Sequence, residues 1–505
     1  MKWLLSSFLM KFFVSVLRCQ CIWGSVQKIM DKEDPPTPVI EEALNCVGFG
    51  WFQIRLCLLC AMGYFALGSE LFTMVMTQAG VIEEFNIGSS LEFSWLPFFA
   101  NLASFVAAIV IGKLIDKFGR KWAFIACITT SSFFAIACAF ATSFPLLTFF
   151  RSVVGFGLGG IAVIDYVVLV ECCPEVWRNT ASQIVFVSGC FGVIYVALLF
   201  LIPFGSIINN DEISLWRIYM FLGGLPLLGT VGLRFLISTD TPKFLVASGR
   251  VSAAYALLVK MKTTNESNCF ASLPSVITNP FFVSEEDFHN RVAEEKLLVN
   301  RSERGSLSQV LRTSVTVPLA VVWIVQSLVY WGLTIFLPEF LKSSGISLHA
   351  GLLAMGLAEL PGVVIATFIS QKKGRDVSLM FCFALSFLGA LYTGTAVLVG
   401  WSPIAVVSGA CLFYMFLIPC WGILFVMTPE IYPVSLRGVA VGFHHMCKSV
   451  PSLAAPFIGA AILEGKLEGA FMFIWAGILG IGLSMTFLLH RKLRAHMGLG
   501  GIIKI

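Results

Sequence analysis

The stretch Gly112 to Lys121, GKLIDKFGRK, places four Lys or Arg within ten residues, between two long apolar runs. About 20 apolar residues are needed for a helix to cross a bilayer, and one such run ends here while another begins almost at once. The stretch therefore reads as a tight hairpin at a membrane surface. Lys and Arg in short loops are retained on the cytoplasmic side, so this end is assigned to the cytoplasm. Within the hairpin, Gly112 lets neighbouring backbones approach and Asp116 can accept hydrogen bonds from a helix N-terminus. Gly119 permits the turn before Arg120.

Composition extends this reading to the whole chain. Of 505 residues, 57% are hydrophobic and 12% charged, against about 25% charged in soluble proteins. The chain reads as an all-α, multi-pass membrane protein. Its net charge of +5 does not call for a nucleic-acid partner, because the basic residues fall in loops between apolar runs, where membrane insertion accounts for them. Most of the fifteen Cys lie inside apolar runs and read as small core residues, not as a disulfide framework. His444, His445 and Cys447 carry metal-capable atoms without matching ligands elsewhere, so no metal site is assigned. No phosphate-cradling G-x-x-x-x-G-K-S/T loop is present, and no cofactor is expected.

Working outward, apolar runs mark spans at about 54–78, 92–114, 121–142, 146–171, 180–203 and 216–237, and again at 315–338, 348–370, 377–399, 403–428, 438–462 and 468–490. Five regions follow: an N-terminal arm (1–50), a first six-helix bundle (51–237), a central loop (238–313), a second six-helix bundle (314–490) and a tail (491–505). In the arm, Lys11 interrupts the apolar start, which reads as an in-plane amphipathic helix or a disordered arm rather than a signal peptide. Amphipathic patterns near Ala253–Lys262 and Glu285–Leu298 predict surface helices in the central loop. The basic residues of the loops place arm, central loop and tail on the cytoplasmic side; the membrane expected is the plasma membrane or that of an intracellular vesicle. Asn265-Glu-Ser and Asn300-Arg-Ser match glycosylation acceptors, yet on this topology they stay unmodified.

The halves repeat one another. Glu171, Pro174 and Arg178 follow span 4 as E-x-x-P-x-x-x-R, and Glu430, Pro433 and Arg437 follow span 10 at the same spacing. Gly119-Arg120 after span 2 recurs as Gly374-Arg375 after span 8. Two six-span halves with both motifs at equivalent places are the trace of a duplicated bundle. Each acid can pair with the Arg across its loop or with the preceding hairpin, forming a latch when the cytoplasmic ends converge; the plainer alternative is that these charges cap helices and set topology.

Charges inside spans are costly, so their positions carry information. Glu70 (span 1), Asp165 (span 4), Glu359 (span 8) and Lys448 (span 11) are the candidates, and spans 3, 6, 9 and 12 are read as free of internal charge. Arg151 and Arg217 are placed at outer helix ends. Glu359 and Lys448 lie about 16 Å deep at 1.5 Å per residue and are expected to meet as an ion pair near the midplane. Glu70 is a candidate for carrying a proton or attracting a cation, Asp165 for the latch, and either can instead simply bond a neighbouring helix. Tyr195, Gln326, Tyr330 and Tyr414 are candidates for lining a pocket, and the glycines of R-x-x-x-G-x-G-x-G from Arg151 to Gly159 for close helix packing.

The hairpin G-x-L-x-D-x-x-G-R-K resembles the signature loop of the major facilitator superfamily. GFGWFQIRL (Gly48–Leu56), YWGL (Tyr330–Leu333), AELPG (Ala358–Gly362) and TPEIYPVSLRGVAVG (Thr428–Gly442) resemble its synaptic-vesicle-glycoprotein-related branch, near the organic ion transporters. STDTPKFL (Ser238–Leu245) is similar to a box shared by sugar and organic ion porters. The resemblance implies twelve helices in two pseudo-symmetric six-helix bundles and alternating access. It also exposes departures: Leu67, Gln371 and Tyr414 stand where the family often has an acid, an Asp and a basic residue. The function expected is secondary-active transport of a small organic solute, an ion by preference, with a coupled proton or other ion as a further partner. A sugar-type porter, and a non-translocating receptor or trafficking protein, remain the alternatives.

Overall fold

The computed structural model describes residues 39–202, 214–237, 240–266, 284–299, 306–336, 345, 348–432, 434–464 and 468–498. The arm as far as residue 38, the acceptor Asn300 and Pro433 lie outside them, and of Gly112, Asp116 and Arg437 only the helical backbone is described.

The described residues form helices, turns and bends and no strand. The first six spanning helices are Trp51–Glu84, Trp95–Phe118, Arg120–Cys138, Phe144–Cys172, Glu175–Leu199 and Leu215–Ile237. Thr316–Thr334, Leu348–Lys373, Arg375–Val399, Pro403–Ile431, Val434–Glu464 and Glu468–Gly498 form the second six. Among the described residues eleven helices are long and apolar enough to cross a membrane. Val434–Glu464 completes the twelve; its 31 residues carry His444, His445 and Lys448, which dilute its apolar character.

The hairpin is tighter than the sequence spacing implies. Helix runs through Phe118 and resumes at Arg120, so the whole turn is one residue, Gly119, at φ 93° and ψ 161°. Gly374 makes the same turn between spans 8 and 9, at φ 100° and ψ 159°. That region of backbone space is open essentially to glycine alone. The duplicated Gly-Arg is therefore a duplicated backbone geometry, with helix running up to the glycine in both copies.

By packing, the chain falls into two units. The smaller gathers Met1–Leu58, Val167–Ala181 and Asp240–Ser302. In it the helices Val39–Val47, Pro242–Ala247, Val251–Glu266 and Glu285–Val299 share an apolar core that includes Leu44, Leu258, Met261 and Phe288. The last two helices cover the amphipathic stretches of the central segment. Ion pairs frame this core, Glu41 with Arg178 and Lys243, and Glu42 with Arg291. Such half-exposed pairs contribute about 0–1 kcal/mol each, so the apolar core does most of the holding.

The larger unit comprises Leu59–Tyr166, Ser182–Thr239 and Glu303–Ile505 and contains the bulk of the spanning helices. Span 4 packs closely on its neighbours through the glycines after Arg151. A Cβ on Gly157 would come within 2.6 Å of the Cys127 carbonyl, and one on Gly159 within 2.6 Å of that of Ser104. Prolines inside the helices leave carbonyls without their usual N–H partner four residues on, and side chains from neighbouring helices take them up. Pro226 frees the Leu222 carbonyl, which accepts from the Tyr195 hydroxyl at 3.0 Å. Pro429 frees that of Phe425, which accepts from Tyr166 at 2.9 Å, and Pro456 frees that of Ser452, which accepts from Asn101 at 3.1 Å.

Candidate functional site

Two of these proline-freed carbonyls join the halves. Tyr166 on span 4 reaches span 10 toward the hairpin end of the bundle, where Phe425 also lies 6.3 Å from Phe186. Asn101 on span 2 reaches span 11 toward the opposite end, together with Ser94 to the Pro456 carbonyl and the Leu91 amide to Glu464. Trp95 and Phe98 pack on Phe457 at the same place. The halves touch toward both ends.

Inside the first half, buried charges are paired. Arg151 donates to the Glu70 carboxylate at 2.5 Å and to the Glu70 carbonyl at 3.1 Å, with both side chains almost wholly buried. Arg151 is thus an interior residue, eight places into its helix, and not an outer-end charge as its position suggested. Asp165 pairs with Arg234, and here the expectation that span 6 carries no internal charge is corrected. Arg234 is 2% exposed, lies over the Phe124 ring at 4.0 Å and also reaches the Cys60 thiol at 3.6 Å. It lies three residues before its helix ends at Ile237 and Asp165 seven before Cys172, about one helical turn deeper, an offset the long arginine side chain spans. Desolvating two charges is tolerable only when they neutralise one another. An acid deep in span 4 was therefore the signal that a buried cation had to exist.

In the second half the expected pair does not form. The Glu359 carboxyl is 2% exposed and lies within electrostatic reach of Cys190 of span 5. The Lys448 ammonium instead stands over two aromatic rings, 5.5 Å from the centroid of Trp421 and 5.4 Å from that of Phe425. Among the described residues neither has an oppositely charged group within ion-pair distance. Equal depth did not bring them together because depth fixes only one coordinate; the azimuth of each side chain decides the meeting.

The pocket candidates separate in the same way. Tyr330 lies close enough to Glu359 to sense its charge, and its ring is 5.8 Å from that of Trp421. The Tyr414 hydroxyl is 3.3 Å from the Thr334 hydroxyl, and its phenol too lies within reach of the Glu359 charge. Gln326 donates to the Leu417 carbonyl at 2.8 Å, leaving its own oxygen buried without a partner among the described residues. Tyr195 is occupied in joining spans 5 and 6. Trp323, Trp421 and Phe425 were not singled out from sequence, and His445 was weighed there only as a metal ligand; Trp421 and Phe425 lie at the lysine, with Trp323 5.1 Å from Phe425 and 6.1 Å from His445. Trp421 and Phe425 are four residues apart on span 10, and His445 and Lys448 three apart on span 11, about one helical turn each, a spacing indistinguishable from ordinary core.

At the hairpin end, Arg375 pairs with Glu430, so the second acid bonds the preceding hairpin. Asp376 meets His490 at 2.5 Å beside it. The first copy is engaged differently: Glu171 accepts from the Thr241 hydroxyl at 2.5 Å, while Arg178 donates to the Cys173 carbonyl at 3.2 Å and to Glu41 at 3.5 Å. Arg120 is buried.

The sequence profile of the Major Facilitator Superfamily matches residues 58–456. The niacin transporter NiaP of Acinetobacter baylyi is 26% identical over 418 residues, which cover 82% of this chain and 84% of NiaP. The synaptic vesicle 2-related protein of Xenopus laevis is 23% identical over 464 residues, covering 85% of this chain and 77% of that protein. The proton:xylose symporter XylE bound to 6-bromo-6-deoxy-D-glucose matches in structure with a TM-score of 0.68 at 15% identity, over 87% of this chain and 95% of XylE, a likeness of fold. Twelve helices, duplicated Gly-Arg turns and a profile match over most of the length lead to one conclusion: the chain belongs to the major facilitator superfamily, in its synaptic-vesicle-2-related branch, and is a multi-pass secondary-active solute transporter rather than an enzyme.

Proposed function

We propose that the protein carries a small organic ion across a plasma or vesicle membrane by alternating access between its halves, with Glu359 and Lys448 facing the solute. The observation that supports this most directly is that two ionisable side chains at membrane depth have no ion-pair partner among the described residues, the Lys448 ammonium standing over aromatic rings instead. An unpaired charge in a low-dielectric interior is costly, and a solute that supplies the missing partner recovers that cost on binding.

Proton coupling is assigned to Glu70. Its contact with Arg151 ties span 1 to span 4, the two helices that such coupling would bias. At the hairpin end, Arg375 with Glu430, and Arg178 with Glu41, are proposed as latches that hold one state and break in the other. Both termini are proposed to be cytoplasmic. The Asn265 amide, which donates to Gln53 at 3.0 Å and accepts from the Phe52 amide at 2.9 Å, is then never glycosylated, and an unchanged mass after glycosidase treatment is expected.

Uptake of radiolabelled organic cations and anions into proteoliposomes, with and without a proton gradient, tests the proposal. Accumulation of a charged solute above empty liposomes, raised by the gradient and no longer raised in Glu70→Gln, is the expected result. Binding without accumulation would favour the receptor alternative, and accumulation of labelled hexose alone the sugar alternative.

A further inference from the structure

We propose that the helix Val39–Val47 is a releasable strap: it folds as it docks on the helices of the central segment, is held there by charge, and on leaving releases Arg178 and uncovers Cys172. This rests on the proposed latch between Arg178 and Glu41 and makes that latch a whole element that moves. Three observations carry it.

The first is the make-up of the strap. Its nine residues are too few to stay helical alone in water, where even about 12–15 are marginal. Val39, Ala43, Leu44 and Val47 recur at helical spacing, and all four are buried in the core shared with Leu258, Met261 and Phe288. Helix and docked contact therefore form together. The chain then passes into span 1 through Gly48, at φ 72° with nothing within 4 Å of where a Cβ would stand, so the hinge has room to turn.

The second is how the strap is held. Its two acids meet cations from three other segments: Glu41 lies 3.0 Å from the Lys243 ammonium and 3.5 Å from the Arg178 guanidinium, and Glu42 lies 2.6 Å from that of Arg291. These side chains are 17% to 36% exposed, so water and salt reach them and each pair is weak by itself. Several weak, screened pairs above a four-residue apolar face make a contact that ionic conditions can open.

The third is what the strap engages. The Asn45 side chain accepts at 3.2 Å from the amide of Glu175, the first residue of span 5, so the strap satisfies one of the N–H groups that a helix start leaves open. The Val47 carbonyl accepts from the Asn265 side chain, whose own oxygen takes the Phe52 amide at the start of span 1. Cys172, the last residue of span 4, is 2% exposed and belongs to the same core. Docking thus ties the ends of spans 1, 4 and 5 to the central segment, and release unties them.

The test is hydrogen–deuterium exchange with peptide-resolved N-ethylmaleimide labelling, on the full-length protein in lipid nanodiscs at low and high sodium chloride. Exchange over residues 39–47 and labelling of Cys172 should rise together by about tenfold or more at high salt, because the pairs are screened at once. Cys382 and Cys420, buried in the second half, should stay unlabelled. Glu41→Gln with Glu42→Gln should reproduce the rise at low salt, and Glu294→Gln, an exposed acid on the helix Glu285–Val299, should not. Exchange over 39–47 as slow as over Val251–Glu266 at both salts, with Cys172 unlabelled, would overturn the inference and make the segment a fixed part of the fold. Labelling that rose equally at all three cysteines would overturn it as well, being a general loosening. The salt arm is read on the unmodified protein, so a variant that fails to fold does not decide the outcome. Neither readout uses a solute: a strap that never opens leaves the transport reading standing, and a failure of uptake leaves the strap standing.

Discussion

In the first six helices, Glu70 is held by Arg151 and Asp165 by Arg234, each pair buried between helices of the same half. In the second six, Glu359 lies within electrostatic reach of Cys190 and Lys448 meets rings. The halves share turns and spacing, so the contrast is not one of topology. Paired charges have spent their electrostatic attraction inside the protein, where it serves to fix helices against one another. Unpaired ones retain it for something that arrives. Duplication supplied two equivalent frames, and the placement of six acids and cations has made their interiors differ, ion-paired in the first and without an ion pair among the described residues at Glu359 and Lys448 in the second.

Removing one partner of a paired set should have the largest effect. Asp165→Asn leaves the Arg234 guanidinium buried beside Phe124 without its counter-ion, a loss of about 3–5 kcal/mol for a buried pair. Thermal unfolding followed by size-exclusion fluorescence should show a strongly lowered midpoint, partly restored in Asp165→Asn with Arg234→Met. A midpoint equal to wild type in Asp165→Asn alone would mean that the first half does not depend on its pairs, and the contrast between halves would fail.

The same substitution type in the second half should act in the other direction. Glu359→Gln and Lys448→Gln each remove a charge that had no partner, so the unfolding midpoint should be unchanged or raised while transport of the solute falls by an order of magnitude or more. Because the two groups do not touch, the losses in the double variant should add in free energy, which the expected ion pair would not have allowed. Mutual rescue in the double variant would restore that pair.

These effects also mark what could be read from the chain alone. Gly119 and Gly374 were legible because a turn of one residue between two helices demands a glycine and the membrane demands cations beside it, both written locally. Arg234 was not legible as interior, since a cation near a helix end is ordinarily an interfacial residue and only its partner on span 4 reveals the inward direction. Glu359 and Lys448 were legible as candidates by depth, and illegible as neighbours because helix rotation is set by packing over the whole bundle. The Tyr166 and Asn101 contacts had a trace in sequence, a proline four residues after each acceptor, but nothing local says which helix supplies the donor.

A smaller effect probes the equivalence of the halves. Gly119→Ala and Gly374→Ala each force a Cβ into a backbone region open essentially to glycine, at about 1–3 kcal/mol. The two losses in unfolding midpoint should match, because the two turns share φ and ψ to within a few degrees. Unequal losses would show that one hairpin relaxes where the other cannot, and the halves would differ in backbone rigidity as well as in charge.

The smallest expected effect concerns the contacts between halves. Tyr166→Phe removes one hydroxyl from the Phe425 carbonyl, which Pro429 leaves without an amide partner, and a single neutral hydrogen bond contributes about 1 kcal/mol. That is little beside the stability of the bundle, yet it is comparable to the few kcal/mol separating two conformations of a carrier. Hydrogen–deuterium exchange should therefore rise near Tyr166 and Phe425 and stay level around Asn101 and Ser452, where the other proline-freed carbonyl is still bonded. Asn101→Ala should give the reverse pattern. If both variants loosened both ends alike, the halves would be separating as a whole rather than rocking about the charges between them.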